Sequence, residues 1–378
     1  MPPRRAILTV LSLSALLHLY VGMRLLPAIA PQGLWLAAAY GVLAASALLV
    51  PTGLLASALR RLRWSDQLAW AGMLAMGMFS SLLVLTVLRD VTLLILAAIG
   101  GAGETFDRGS AIAVPLLALG ATLAGFFNAR RLARVVEVEV PIPGLPSSLH
   151  GYAIAQISDV HIGPTIKRRY LEAIVARVNG LRPDAIAITG DLVDGSVRRL
   201  SAHTAPLANL AAPDGTFFVT GNHEYYSGAG EWIAEMRRLG LTVLLNEHVV
   251  REREGDGVMI AGVTDYSAHH FEPAHRSDPR AAAAGAPAHV KVRVLLAHQP
   301  RSAEAAAAAG FDLQLSGHTH GGQFYPWNLF VPLQQPFTAG LNQAGAMWVY
   351  TSRGTGYWGP PKRFGAPSEI TLLRLVAA

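Results

Sequence analysis

The chain has 378 residues, of which 52% are hydrophobic, and its mean hydropathy of +0.34 is high for a soluble enzyme. It contains no cysteine, which excludes disulfides, thiolate metal sites and cysteine nucleophiles. The net charge of +6 is uneven, because residues 1–135 hold 11 arginines against four acids while the remainder is nearly neutral. The basic character therefore belongs to the N-terminal third, and no nucleic-acid binding is expected of the rest.

Long apolar runs fill the first third of the chain. Four of them approach or exceed the length of a membrane span: 6–26, 34–59, 68–88 and 111–127. Because about 20 apolar residues span a bilayer core, we predict a bundle of four transmembrane helices within residues 1–134. Two alternatives fit less well: a signal peptide would need a small-residue cleavage site and more spans follow here, and a soluble bundle would carry more charge. A fifth run, 91–99, either extends the third helix or lies at the membrane interface.

Arginine clusters predict the orientation of these helices. With four spans, three clusters fall on one side: Arg4 and Arg5; Arg60, Arg61 and Arg63; Arg130, Arg131 and Arg134. Basic residues concentrate on the cytoplasmic side of membranes. We therefore expect a multi-pass protein of the inner (cytoplasmic) membrane, with everything after the fourth helix in the cytoplasm.

The remaining two-thirds are expected to form a linker, 135–150, and a globular domain, 151–378. Short buried strands alternate with helical segments in this domain, which predicts an α/β fold. Five predicted strands each end directly before a polar motif: 152–158, 185–189, 216–220, 292–297 and 313–316. Ligands of α/β folds gather at the carboxyl ends of strands, so these motifs mark the candidate site.

Oxygen and imidazole donors collect at these strand ends: Asp159, His161, Asp191, Asn222, His298, His318 and His320. One metal ion would use three or four of them, so the set is large enough for two. Mixed nitrogen and oxygen donors suit Mn²⁺, Fe²⁺/Fe³⁺ or Zn²⁺. Two such ions need a shared ligand, and together they would clamp the attacking and leaving oxygens of a phosphoryl transfer.

Other polar residues near these motifs have less specific signals. His223 adjoins Asn222 and is predicted either to donate a proton to the leaving oxygen or to stabilise the transition state. Glu224 is a candidate to orient its imidazole. Asp194 is assigned to a turn with Gly195, and Asp265 either to a turn or to a contact with the metal ligands. The polar stretch 267–289 lacks periodicity and is expected to be a surface loop with solvated histidines.

The order of the motifs resembles the calcineurin-like metallophosphoesterase superfamily. They are Asp159-x-His161, Gly190-Asp191, Gly221-Asn222-His223-Glu224, His298 and Gly317-His318-Thr319-His320. The resemblance covers residues 152–375 and implies a four-layer α/β/β/α sandwich with two metal ions. It also implies the ligand sets. The first ion would take Asp159, His161, Asp191 and His320; the second, Asp191, Asn222, His298 and His318. Asp191 would bridge the two, with His223 as the general acid.

Within the superfamily, residues 317–323 and 359–370 resemble a membrane-associated bacterial branch labelled UDP-2,3-diacylglucosamine hydrolase-like. This resemblance implies a phosphoester or pyrophosphate substrate that is lipid-linked, with the lipid bilayer as a partner. The four-helix anchor departs from branch members with a single export signal, so their location outside the cytoplasm is not carried over. A general or nucleotide phosphodiesterase that is merely tethered, and a metal-binding sensor or scaffold, remain as alternatives.

Two stretches near the last motif bear on the substrate. The apolar run 324–333 is expected either to meet membrane or acyl chains or to pack on the second sheet. Four residues further on are candidates to face phosphates or headgroups: Tyr357, Trp358, Lys362 and Arg363.

Overall fold

The computed structural model describes residues 4–30, 32–55, 64–101 and 103–378. These residues divide into two compact units. The helical unit runs to Arg130 and includes Gly359–Phe364, whereas the sheet unit comprises Arg131–Trp358 and Gly365–Ala378. The short stretch 359–364, which the sequence analysis placed in the globular domain, thus packs as part of the helical unit.

The helical unit contains the four predicted helices, α1 (Arg4–Ile29), α2 (Leu34–Leu54), α3 (Ser65–Ala98) and α4 (Glu104–Arg130). All four are long and apolar enough to cross a membrane. The fifth apolar run continues α3 to its end, and Pro27 lies inside α1 instead of ending it. Residues 56–59 of the second predicted span and the cluster Arg60, Arg61 and Arg63 lie outside the described residues.

Glycines allow close packing in the helical unit. A Cβ at Gly53 of α2 would lie 2.7 Å from the carbonyl carbon of Gly72 in α3. Likewise, a Cβ at Gly125 of α4 would lie 2.6 Å from Cγ of Lys362. Small residues at such positions let backbones approach within a membrane-type bundle.

The stretch Gly359–Phe364 is held between α3 and α4 by hydrogen bonds. The ammonium of Lys362 donates to the Gly77 carbonyl at 2.9 Å and to Thr122 Oγ1 at 3.1 Å. The Arg363 amide donates to the Gly125 carbonyl at 2.8 Å. Because both basic side chains are buried, the expectation that they face phosphates or headgroups is wrong.

Two six-stranded sheets form the sheet unit. The first has the order β1-β12-β2-β3-β4-β5 and the second β10-β11-β9-β8-β7-β6. The first sheet contains β1 (Arg134–Ile142), β2 (Ala153–Ile157), β3 (Ala185–Ile188), β4 (Thr216–Phe218), β5 (Thr242–Val243) and β12 (Glu369–Ala377). The second contains β6 (Glu247–Arg253), β7 (Asp256–Gly262), β8 (Val290–Leu296), β9 (Leu313–Ser316), β10 (Gly340–Ala344) and β11 (Met347–Thr351).

Six helices complete the sheet unit: α5 (Arg168–Gly180), α6 (Val197–Thr204), α7 (Asn222–Ser227), α8 (Ala229–Arg238), α9 (Pro279–Ala283) and α10 (Ala303–Ala308). The two sheets share one hydrophobic core, in which Ile154 and Phe217 of the first sheet pack with Val294 and Leu315 of the second. This is the two-sheet α/β architecture that the motif order implied. Strands β2, β3 and β4 are parallel and β8 is parallel to β9, so their carboxyl ends share one edge within each sheet.

Two segments differ from the sequence-based expectation. The first half of the expected linker is strand β1, which pairs in parallel with β12 along its whole length. The polar stretch 267–289 contains α9, which Asp278 caps by accepting from the amides of Arg280 and Ala281, and Ala282 of this helix is buried. Segment β1 forms a strand because it pairs with β12. Helix α9 is stabilised by its buried face and by the Asp278 cap.

Candidate metal centre

The predicted donors all lie where strands end. Asp159 and His161 follow β2, Asp191 follows β3, and Asn222 follows β4 as the first residue of α7. The remaining three come from the second sheet, with His298 after β8 and His318 and His320 after β9. The site is therefore built jointly by the two sheets.

Backbone conformation sets these residues apart. Asp159, His161, Asp191, His318 and His320 have φ angles of 53°, 54°, 50°, 69° and 52°. Residues other than glycine rarely adopt this left-handed conformation, which costs about 1–3 kcal/mol each and clusters at functional sites. Five such residues at five predicted ligands indicate that the surrounding fold fixes their side chains for a purpose other than packing.

One group of donors contains Asp159, His161 and His320. The Nε2 atoms of His161 and His320 lie 3.1 Å apart, and Nε2 of His320 lies 3.5 Å from Oδ1 of Asp159. Nδ1 of His161 donates to the Asp194 carboxylate at 3.1 Å, which leaves the Nε2 lone pair directed at the other donors.

The second group contains Asp191, His298 and His318. Nε2 of His298 lies 3.2 Å from both Oδ2 of Asp191 and Nδ1 of His318. Nδ1 of His298 donates to the Thr189 carbonyl at 2.8 Å, so its Nε2 lone pair also faces the group. Oδ2 of Asp191 lies 3.9 Å from Nε2 of His161 as well, and this carboxylate thus adjoins both groups.

These converging lone pairs fit metal ions. Burial lowers the pKa of His298, but the charge of Asp191 and its hydrogen bond outweigh burial and raise this pKa well above 6.5. The negative charge of Asp191 thus favours a positive charge at this point, which a bound metal ion would supply in place of the Nε2 proton. Oδ1 of Asn222 is buried and accepts no hydrogen bond within the described part of the chain, as befits an oxygen that a hard cation would satisfy.

Comparison with known proteins places this chain in a family. A family model described as "Calcineurin-like phosphoesterase" matches residues 152–322. The chain is 39% identical over 319 residues to "Transmembrane protein with metallophosphoesterase domain" of Bos taurus, covering 80% of this chain and 71% of that protein. The chain belongs to the calcineurin-like metallophosphoesterase family. The protein of the same name from Danio rerio is 40% identical, and the match covers 67% of this chain and 60% of that protein.

The metallophosphoesterase relatives extend to bacteria. "Uncharacterized metallophosphoesterase" of Helicobacter pylori strain J99 is 36% identical, and the match covers 69% of each protein. The names of these three relatives state the family and, for two of them, a transmembrane character. None of these names states a substrate, so these relatives do not support the resemblance to UDP-2,3-diacylglucosamine hydrolases.

Asp194 contacts two histidines of the candidate site, a role that the sequence analysis did not predict. It was assigned to a turn, but its Oδ1 accepts from Nδ1 of His161 at 3.1 Å and from Nδ1 of His223 at 2.6 Å. The available signal was its place three residues after Asp191 in the same strand-end loop. Burial lowers the pKa of His223, but the charge of Asp191 and the Asp194 hydrogen bond outweigh burial and raise it to about 9.

Glu224 has a different role from the one expected. Its fully buried carboxylate accepts from the backbone amides of Gly221, Asp191 and Leu192 at 2.7, 3.0 and 2.8 Å. It therefore ties the loop after β3 to the start of α7, and Asp194 orients the His223 imidazole instead. Burial and the charge of Asp191 raise the pKa of Glu224, whereas the hydrogen bonds from the Gly221 and Leu192 amides stabilise its carboxylate and oppose this rise.

The apolar run after the last motif does not pack on the second sheet. Phe324 is buried, but its larger neighbours are 43–80% exposed: Tyr325, Trp327, Leu329, Phe330 and Leu333.

Asp265 is buried, and Nε2 of Gln299, the neighbour of His298, donates to its carboxylate at 3.1 Å. His275 in the 267–289 stretch forms a hydrogen bond with the Tyr225 hydroxyl at 2.8 Å, and so it is not simply solvated.

Proposed function

We propose that this metallophosphoesterase is a membrane-anchored hydrolase of phosphodiester or pyrophosphate bonds. It would use two metal ions, which are Mn²⁺, Fe²⁺/Fe³⁺ or Zn²⁺. The observation that carries the proposal is that Asp191, a member of the second donor group, also lies 3.9 Å from His161 of the first group. Asp159, His161, Asp191 and His320 would hold one ion. Asp191, Asn222, His298 and His318 would hold the other.

Ions bound there would supply positive charge to the phosphoryl oxygens and activate the attacking water. The reaction forms one bond between phosphorus and the water oxygen and breaks the bond to the leaving oxygen. His223 donates its Nε2 proton to that leaving oxygen, and one proton of the water is released to solvent. Asp194 keeps the other ring nitrogen protonated, and Glu224 fixes the backbone on which His223 and Asp191 stand.

A lipid-linked substrate is the favoured form of this proposal. Four apolar helices keep the enzyme at a bilayer, where a lipid-linked phosphoester is concentrated. The exposed apolar run 325–333 begins five residues after His320 and offers acyl chains an apolar contact. UDP-2,3-diacylglucosamine of the lipid A pathway has this chemistry. A general or nucleotide phosphodiesterase that the helices only localise is the second candidate, and the donor groups argue against a non-enzymatic sensor or scaffold.

Substrate comparison tests the proposal. The full chain is purified in detergent with Mn²⁺ and assayed with an aryl phosphodiester, a nucleotide pyrophosphate and UDP-2,3-diacylglucosamine. We expect turnover of all three, with the highest kcat/KM for the lipid-linked substrate. Equal kcat/KM for soluble and lipid-linked substrates would leave the tethered phosphodiesterase, and no turnover by metal-loaded protein would exclude hydrolysis.

Two variants separate metal binding from proton donation. Asp191→Ala is expected to lose bound metal, since it removes the ligand shared by both groups. His223→Ala is expected to keep its metal and to lose about 10²–10⁴-fold in rate on substrates with a poor leaving group. Metal content by mass spectrometry and kcat on alkyl esters provide the readouts, and an unchanged kcat for His223→Ala would remove it from the mechanism.

A further inference from the structure

Exposed aromatic rings surround His223 on the sheet unit. Its imidazole lies 5.1 Å from the ring of Tyr226 and 5.7 Å from the ring of Trp358, both in edge-on geometry. Phe271 lies 5.5 Å from Tyr226. Tyr226, Phe271 and Trp358 are 61%, 52% and 47% exposed. About half of each side chain is thus accessible to a ligand and is not packed in the core.

The backbone of Trp358 is held by the motif that carries two of the candidate metal-site histidines. Oε1 of Gln323 accepts from the Trp358 amide at 2.9 Å, and Nε2 of Gln323 donates to the Trp358 carbonyl at 2.8 Å. Gln323 ends the motif Gly317–Gln323. This pair of hydrogen bonds fixes the Trp358 backbone relative to the motif that carries His318 and His320, and from this backbone the ring reaches His223.

These rings occupy the place where the leaving group departs. If His223 protonates the leaving oxygen, then the carbon or phosphorus that bears this oxygen lies next to Tyr226 and Trp358. Open aromatic faces bind planar rings by stacking. The run 325–333 exposes aromatic rings as well, but it also exposes Leu329 and Leu333 and lacks the contact with His223.

We propose that Tyr226, Phe271 and Trp358 form a binding site for a planar ring on the leaving group, such as a nucleobase or an aryl group. This inference rests on the proposed hydrolysis, with His223 at the leaving oxygen. It also divides the substrate between two surfaces, because the aromatic site takes the ring-bearing part and the run 325–333 takes any lipid.

Matched methyl phosphodiesters test the site in the full chain with Mn²⁺. Uridine (through its 5′-oxygen), benzyl alcohol and tetrahydrofurfuryl alcohol are compared as leaving groups. The last keeps the CH₂–O link but lacks a planar ring. For Tyr226→Leu and Trp358→Leu we expect kcat/KM to fall about tenfold, mainly through KM, for leaving groups with a planar ring. The change for the tetrahydrofurfuryl ester should stay within about twofold. Trp35→Leu, an exposed aromatic of α2, serves as the control and should match wild type on all three.

The outcomes separate the inference from the proposed function. Equal losses on all three esters would overturn the inference, because the rings would then only support His223. Losses confined to the uridine ester would narrow the site to nucleobases, and losses shared by the benzyl ester would widen it to any planar ring. If wild type hydrolyses none of these three esters, its activity on the aryl phosphodiester and the two pyrophosphates decides the proposed hydrolysis. Equilibrium dialysis with labelled uridine then decides the binding site alone, which is supported if the two ring variants weaken binding and overturned if they do not.

Discussion

Asp194 illustrates how one carboxylate can set the state of two histidines. It accepts Nδ1–H from both His161 and His223, so Nε2 of His161 faces the donor group and Nε2 of His223 is left for the proposed proton donation. Removing its charge frees both rings to rotate and to exchange their protons between nitrogens.

Asp194→Asn is expected to lower kcat/KM about 10–100-fold and to weaken metal affinity by a similar factor. Phosphodiester kinetics across a Mn²⁺ titration measure both effects. Asp278→Asn, at the start of α9, should behave as wild type in the same assay. Wild-type kinetics for Asp194→Asn would mean that the two imidazoles are positioned by packing instead.

Glu224 acts on backbone amides, so its effect should appear in stability. In Glu224→Gln, a side-chain NH₂ group would face the backbone amides that now donate hydrogen bonds to the carboxylate. An unsatisfied buried donor costs about 1–3 kcal/mol. We expect a lower Tm by differential scanning fluorimetry of the metal-loaded protein.

Glu172→Gln provides the matched control for this comparison. Glu172 pairs with Arg168 at the surface, where both side chains are about half exposed, and such a pair contributes at most about 1 kcal/mol. If Glu172→Gln lowers Tm as much as Glu224→Gln does, the buried amide contacts of Glu224 are not what holds the two loops together.

At the scale of elements, the local sequence was most informative where the hydrophobicity of a segment is enough to specify its structure. The four apolar helices and the buried strands β2, β3 and β9 could be predicted because hydrophobicity alone specifies them. Strand β1 could not, since its partner β12 lies more than 200 residues away. Asp194 and Glu224 show the same limit at the site, because short acidic motifs are common in turns and only tertiary contacts assign their roles.

The stretch Gly359–Phe364 makes a testable contact with α4. A Cβ at Gly125 would lie 2.6 Å from Lys362 Cγ, whereas a Cβ at Gly120 would meet nothing within 4 Å. Gly125→Leu is therefore expected to expel the stretch and to expose the bonds after Lys362 and Arg363 to trypsin. Gly120→Leu should keep the resistance of wild type. Limited digestion followed by mass spectrometry reads both variants, and equal resistance would contradict the packing of this stretch.

At the scale of the whole molecule, the arginine distribution predicts a cytoplasmic C-terminus. Fusing alkaline phosphatase and green fluorescent protein separately to residue 378 in a bacterial host tests this. We expect fluorescence from the second fusion and no phosphatase activity from the first, because phosphatase requires export. The opposite pattern would place the metal centre outside the cytoplasm. Neutralising Arg130, Arg131 and Arg134 together should weaken the bias.

The order of synthesis gives the contact of the stretch 359–364 with α3 and α4 a further consequence. Ribosomes release α3 and α4 more than 200 residues before Lys362 emerges, so the helices enter the lipid phase without the segment that later fills the space between them. The space between α3 and α4 must therefore remain available to this segment while most of the sheet unit is translated. Maturation would then end with this late insertion, and lipid occupying the vacant groove would compete with it.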